Sequence, residues 1–333
     1  MSIKCAVTGY GSAFAMGAFH CSQIKNTEGL ELVGVAEPVK QRRDEAHERE
    51  GVPVYASLTE LLKKSDCEMV TIVTPHDTHC PLVVESLEAG RHTITEKVMC
   101  INTAEADTMI KAAKKARKMF SVFQNRRWDT DYVTVRKVID SGMLGEVFDI
   151  ESSIGGYGPQ GGWRGVKKHG GGMLFDWGAH LVDQVVQMVP AKPVRVYSTM
   201  EYRVWPTDTE TLALVHISFA NGCEAHVDVG GISRIEKQRW LVRGEMGALS
   251  KRTLGDEHKA IVRTTVDGVS ATLEIDPVGA AWDAYYANVV AHLTHGAELI
   301  VKPEQCRTAI AVIEAAFISA KEKRCVPLKE LGV

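Results

Sequence analysis

The sequence predicts an α/β protein with a doubly wound parallel sheet at the front and a second domain built on a further sheet. Three observations support this. At 333 residues the chain has room for about two domains. From residue 3 to residue 123 short apolar runs alternate with amphipathic stretches, the pattern of parallel strands covered by helices on both faces. From Val194 to Ile275 the apolar spacing shortens to strand-like alternation. The boundary is placed after residue 124, which leaves 1–124 and 125–333 as the two domains.

Composition narrows the partners. A formal net charge of −3 provides no basic field for nucleic acid or an anionic membrane, so a small molecule is expected. The eight cysteines show no CxxC or zinc-like spacing and read as reduced thiols of a cytoplasmic protein, with no metal expected. Met1 to Val7 enter a strand without a targeting pattern, and no later run has the length of a membrane span.

The first strand, Ile3 to Thr8, ends in Gly9-Tyr10-Gly11, and a helix is predicted from Ser12 to about Ile24. A strand, a glycine turn and a helix N-terminus together suit a pyrophosphate, because free N–H groups and the helix dipole favour negative charge there. Gly9, Gly11, Ser12, Ala13 and Phe14 are therefore candidate cofactor contacts, with Phe14 in the place of the third glycine of G-x-G-x-x-G. Ala13, Gly17 and Ala18 are small enough to relieve the crowding there. The next strand, Leu32 to Ala36, leads to Glu37, where a carboxylate accepts ribose hydroxyls and favours NAD over NADP. Arg42 and Arg43 follow closely: they either soften that preference towards NADP or belong to a solvated helix face over Lys40 to Glu50.

Helices at Ser57 to Lys64, Thr78 to Ala89 and Thr103 to Lys118 alternate with strands at Met69 to Val73, His92 to Thr95 and Phe120 to Phe123. Ligands of such sheets bind beyond the carboxyl ends of the strands. Three polar segments sit there: Thr74-Pro75-His76-Asp77-Thr78-His79, then Glu96-Lys97, then Gln124-Asn125-Arg126-Arg127.

A helix at Trp128 to Ser141 and a strand at Gly145 to Ser153 precede a glycine-rich passage carrying Tyr157, Trp163 and Arg164. A loop of that length is expected to be functional, since rings stack on a sugar face and a guanidinium donates to hydroxyls. The alternative is a flap whose aromatics only pin it down. After Gly170-Gly171-Gly172, a helix over Phe175 to Val189 would present Asp176 and His180, four residues apart, on one face. They read either as a general-base pair or as a first-turn cap and a core histidine. Further on, Thr211 to Phe219 and Cys223 to Val229 form a hairpin with Gly222 left-handed, which sets His216 across from His226 on a polar or subunit-contact face. Helices at Trp282 to Leu293 and Pro303 to Lys323 close the chain, and His292 and His295 read as structural.

The glycine turn, Thr74-Pro75-x-x-x-His79, Glu96-Lys97, Asn125-Arg126-Arg127 with Leu144-Gly145-Glu146-Val147, and Asp176-x-x-x-His180, taken in this order, resemble the Gfo/Idh/MocA oxidoreductases. The resemblance implies a Rossmann domain over 1–124 and a substrate-binding and oligomerisation domain over 125–333. The latter would hold a large, open, mostly antiparallel sheet used for dimer or tetramer contacts. It also implies that Thr74, Pro75, His76, His79, Glu96, Lys97, Asn125 and Arg127 lie near the cofactor, and that Lys97, Asp176 and His180 are catalytic. Phe14, His76 and Val98 depart from the family's usual glycine, asparagine and proline.

The expected chemistry is reversible oxidation of a secondary alcohol of a sugar, polyol or cyclitol with NAD, or NADP as the second option. Hydride leaves the carbinol carbon while a base takes the hydroxyl proton. His180 suits the base and Lys97 the developing oxyanion, with Asp176 assisting, although the two roles can be exchanged. Tyr157, Trp163 and Arg164 complete the expected substrate contacts. Two alternatives stand beside it: a glycosidase acting by transient sugar oxidation and elimination, and a nucleotide-binding sensor without turnover.

Overall fold

The computed structural model of the chain describes residues 2–11 and 13–333. It divides into two compact units, Met1–Gln124 with Asp283–Arg307, and Asn125–Trp282 with Thr308–Val333.

The first unit contains β1 (Ile3–Thr8), α1 (Met16–Asn26), β2 (Leu30–Ala36), α2 (Lys40–Glu50), β3 (Val54–Tyr55) and α3 (Leu58–Lys64). β4 (Met69–Ile72), α4 (His79–Glu88), β5 (His92–Glu96), α5 (Thr103–Ala116) and β6 (Phe120–Phe123) follow. The six strands are parallel in the order β3-β2-β1-β4-β5-β6. β4 and β6 are buried at every position, as strands between two helix layers are. Two helix starts follow directly from sequence. Ser57 and Asn102 accept the N–H groups of Glu60 and Glu105, and those glutamates reach back to the Ala56 and Ile101 amides. α1 begins four residues after the expected Ser12 because Phe14 (φ 56°) and Ala15 (φ 50°) are left-handed, a geometry that cannot propagate a right-handed helix.

In the second unit α6 (Thr130–Asp140) precedes β7 (Val147–Gly155), and a π-helical turn, Leu174–Gly178, runs into α7 (Ala179–Met188). The strands continue as β8 (Pro193–Glu201), β9 (Leu212–Phe219), β10 (Glu224–Gly230), β11 (Trp240–Gly244), β12 (Gly247–Lys251), β13 (Ala260–Val266) and β14 (Val269–Ile275). α8 (Ala284–His295) belongs to the first unit, α9 (Pro303–Glu322) follows, and β15 (Val326–Pro327) ends the second sheet. That sheet has nine strands, β14-β13-β12-β11-β7-β10-β9-β8-β15, antiparallel throughout except for the β7–β10 pair. The fold is thus the expected parallel Rossmann sheet followed by a large, mostly antiparallel one. The β9–β10 register is also as expected: Ile217 faces Ala225, Val215 faces Val227, and His216 lies opposite His226, with Gly222 left-handed at φ 88°.

Asp283–Arg307 clusters with the first unit, whereas the sequence reading placed it with the second domain. The cause is the packing of α8. Tyr285 stands edge-on to Phe123 at 4.8 Å and donates to Ser121 Oγ at 2.9 Å, and the Tyr286 hydroxyl lies 2.8 Å from His20 Nδ1. Ser121 also donates to the Val301 carbonyl. No helix among the described residues is long and apolar enough to cross a membrane.

Candidate active site

The carboxyl ends of β1, β2, β4 and β5 gather most of the candidate cofactor residues in the first unit. Gly9 has φ 98°, and a Cβ there would run into the Val73 carbonyl, so the turn lies directly against the end of β4. The close approach expected of a third glycine falls to Gly17. A Cβ on Gly17 would collide with the Gly9 carbonyl oxygen and lie 2.8 Å from Tyr10 Cα. Phe14, placed at that position by the sequence reading, is instead 76% exposed, because the loop between Gly11 and the helix is three residues longer than the motif. Ser12 lies outside the described residues, and Ala13 opens the short 3-10 turn before α1.

Glu37 is buried and already has backbone partners. Its Oε2 accepts from Tyr10 N–H at 2.7 Å and its Oε1 from Val39 N–H at 2.9 Å, which ties the end of β2 to the glycine turn. Arg43 donates to the Glu37 and Pro38 carbonyls, so it is a loop brace. Arg42 differs: its Nη1 would lie 3.4 Å from a Cβ on Gly11, which puts a cation beside the turn.

After β4, Thr74, Pro75 and His76 enter a 3-10 turn in which Thr78 donates to Thr74 Oγ1 and the Pro75 carbonyl. His79 is fully buried, with Nε2 at 2.9 Å from the Thr74 carbonyl and Nδ1 at 2.8 Å from the Val98 carbonyl. It sits between the turn after β4 and the segment after β5, with one ring N–H to donate to either carbonyl. Burial holds its imidazole below its ordinary range. Lys97 follows Glu96 at the end of β5, is half-buried, and is joined to Val98 by a cis peptide bond. Its amide donates to Glu96 Oε2 at 3.0 Å, and Glu96 Oε1 lies 2.9 Å from His20 Nε2.

The substrate candidates lie in the second unit. Asp176 sits within the π turn and His180 in the first turn of α7, where the sequence reading had one continuous α-helix from Phe175. The wider turn changes their angular relation, and single π turns recur at functional sites. Asp176 is nearly buried and faces Arg164 at 3.4 Å. Arg164 also lies over the Trp163 ring at 4.4 Å. Glycine permits this packing: a Cβ on Gly171 would strike the Arg164 carbonyl, and the Gly172 amide donates to the same oxygen at 2.9 Å. His180 is buried beside the Trp177 ring, on which the Arg126 guanidinium rests at 4.2 Å. Tyr157 serves as a pin: Arg234 covers it at 3.8 Å, Trp205 meets it edge-on at 5.0 Å, and its backbone bridges to Ile232.

Asn125 and Arg127 begin the second unit, and both are buried. Arg127 forms a two-pronged ion pair with Asp183 of α7, at 2.8 and 2.7 Å. Gln184, the next residue, donates to the Arg126 carbonyl and accepts from buried Arg239, which also pairs with Asp131 at 2.9 Å. The Asn-Arg-Arg segment thus fastens α7 and, with it, His180. Sequence reasoning missed Glu210. Its carboxylate fills the space a Cβ on Gly172 would need and accepts from Leu174 N–H at 2.8 Å, at the start of the π turn. Burial pushes it up to about 7. Only a lone acid between threonines marked it in sequence.

Residues 3–124 match the family model described as an oxidoreductase family with an NAD-binding Rossmann fold, and residues 132–250 match the GFO/IDH/MocA C-terminal domain. The crystal structure of an NAD-binding protein from Listeria innocua is 30% identical and superposes with a TM-score of 0.89 over 98% of this chain and 97% of that one. The chain belongs to the GFO/IDH/MocA family. Within it, a scyllo-inositol 2-dehydrogenase (NADP(+)) of Bacillus subtilis is 26% identical over 98% of this chain and 96% of its own length. An inositol 2-dehydrogenase of Salmonella typhimurium is 28% identical over 44% of each chain. As a GFO/IDH/MocA protein the chain is a nicotinamide-dependent dehydrogenase with an NAD-binding first domain. The residues present fit that cofactor, since Gly9 and Gly17 allow the tight packing of strand, turn and helix that such a site needs, and Gly11 meets only the tip of Arg42.

Proposed function

We propose that the protein oxidises a secondary alcohol of a sugar, polyol or cyclitol, reversibly, with NAD and, less readily, NADP. The reading rests on the Asp176–Arg164 pair in a π turn that leads into the buried His180, in a family member whose β5 is followed by Lys97. The full-length likeness to a scyllo-inositol dehydrogenase supports a polyhydroxylated ring as the substrate class. Bound nicotinamide supplies the two-electron acceptor. Gly9, Gly11, Glu37, Thr74 and Pro75 would hold the dinucleotide. Glu37 would accept ribose hydroxyls with the lone pairs left after Tyr10 and Val39, and Arg42 beside Gly11 is the reason NADP is not excluded.

His180 takes the carbinol proton, an imidazole being the side chain whose ordinary titration lies nearest neutral pH. Lys97 donates to the same oxygen and offsets the charge that develops on it. Asp176 holds Arg164, and the two together bind neighbouring hydroxyls. The His180 ring lies buried beside Trp177, which Arg126 covers. The exposed face of the nine-stranded sheet, which carries Tyr197, Leu214 and His226, serves contacts between copies of the chain; sedimentation velocity tests this, and a monomer at assay concentration counts against it.

The test is a screen of polyols, aldoses, cyclitols and uronates with NAD and with NADP, reading the absorbance of reduced nicotinamide. With the best substrate, His180→Ala and Lys97→Met should each lower turnover by roughly two decades or more, as loss of general acid–base help does. NADH affinity should stay near that of the parent. Near-normal turnover in both variants, or cleavage of glycosides without net NADH, would overturn the reading.

A further inference from the structure

A buried polar chain runs from the carboxyl end of β5 through the core of the first unit. Its members are Lys97, Glu96, His20, Tyr286 and Thr71, contributed by β5 and the residue after it, α1, α8 and β4. Lys97 N–H donates to Glu96 Oε2, and Glu96 Oε1 meets His20 Nε2 at 2.9 Å. His20 Nδ1 lies 2.8 Å from the Tyr286 hydroxyl, which is 3.1 Å from Thr71 Oγ1. His20, Thr71 and Tyr286 are wholly inaccessible, and Glu96 is 8% exposed.

So much polarity in a core is costly unless every member is satisfied. A plain apolar packing of α1 on the sheet would have needed none of it. The ring of His20 is held in orientation from the other side as well, by edge contacts with Phe123 at 4.5 Å and Phe19 at 5.6 Å.

We propose that His20 is a positioning residue for Lys97: clamped between Tyr286 and Glu96, its ring aims the Glu96 carboxylate at the Lys97 amide and so fixes the lysine's backbone. The inference rests on the reading of Lys97 as a catalytic group, and it assigns the set of that group to a side chain no motif marks. With the proton on Nε2 the ring donates to Glu96 Oε1 while Nδ1 accepts from the Tyr286 hydroxyl, so one tautomer satisfies both contacts. Burial alone would raise the Glu96 carboxyl, but the hydrogen bond and charge of His20, followed by the charge of Lys97, outweigh it and hold the group low. The titratable groups facing this pair are Lys97, His79 of α4, Tyr286 and Tyr285 of α8, and Cys5 of β1. Burial keeps the Tyr286 phenol and the Cys5 thiol protonated, so neither supplies a competing anion.

Without the imidazole donor, burial would favour the neutral Glu96 acid, and the Lys97 amide would lose its charged acceptor. The experiment is hydrogen–deuterium exchange of the full-length protein, with the Lys97 amide resolved by fragmentation in the mass spectrometer. It requires no substrate. In His20→Leu the Lys97 amide should exchange roughly tenfold faster than in the parent, the usual effect of losing a charge-assisted hydrogen bond. In His20→Gln, whose amide reaches the place of Nε2, the rate should return to that of the parent. Should His20→Leu not fold, Glu96→Ala removes the same acceptor and should give the same rise. An unchanged rate in whichever of these two variants folds overturns the proposal, as does a rise in His20→Gln equal to that in His20→Leu. Failure of the catalytic reading shows elsewhere, as retained turnover in Lys97→Met, so the two failures cannot be confused.

Discussion

Glu210 carries a carboxyl group into the interior of the second unit, where it holds the first amide of the π turn and packs on Gly172. Burial is the chief cause of its rise from 4.5 to about 7. A carboxyl raised in the folded state lets the unfolded chain ionise first, so stability falls as pH climbs between those two values and levels off above them. Glu210→Gln keeps the acceptor and removes the titration. Its advantage over the parent in urea unfolding should therefore grow through that window to roughly 3 kcal/mol at pH 8 and vanish below pH 4. Equal pH slopes for the two proteins would show that the carboxyl is not buried as described. Glu210 was not legible in sequence, since burial of a lone acid depends on which glycine turn folds over it. Gly17 and Phe14 make the same point. The sequence offered both, but only the left-handed pair Phe14–Ala15 decides that the loop is longer than the motif and that Gly17 meets the turn.

Among the elements, the hairpin β9–β10 was legible down to its register. Its apolar residues keep one parity on each strand, and a slip by one would have turned Val215 and Val227 to the solvated face. The π turn was not legible, because the apolar pattern from Leu174 onward suits an α-helix equally well. What stabilises α7 beyond that turn is the Arg127–Asp183 pair, with both side chains almost fully buried. The sequence reading placed Arg127 among cofactor contacts, whereas the geometry gives it a partner within its own unit. Asp183→Asn leaves a buried guanidinium without its counter-charge and should cost about 3–5 kcal/mol, read as a lower urea midpoint at unchanged m-value. A loss under about 1 kcal/mol, the worth of an exposed pair, would contradict the burial.

At the scale of the whole chain, the alternating first half and the change of character after Phe123 were plain from apolar spacing alone. The return of Asp283–Arg307 to the first unit was not, because α8 looks like any amphipathic helix until Tyr285 and Tyr286 are seen against Phe123 and His20. Binding stabilises whatever folds as one body with the site, by about 2.7 kcal/mol at a ligand concentration of 100 Kd. NADH should therefore slow amide exchange in α8 together with β1 to β6. Exchange in α8 that ignores NADH while β1 slows would contradict the division. The same feature bears on how this protein can be cut and recombined. A gene fragment stopping at the end of β6 would leave the Phe123 ring and the His20 cluster without their cover and would tend to aggregate. Any chimera that transplants the nucleotide-binding half into a paralogue must therefore carry two separate segments of chain, the second grafted near the far end.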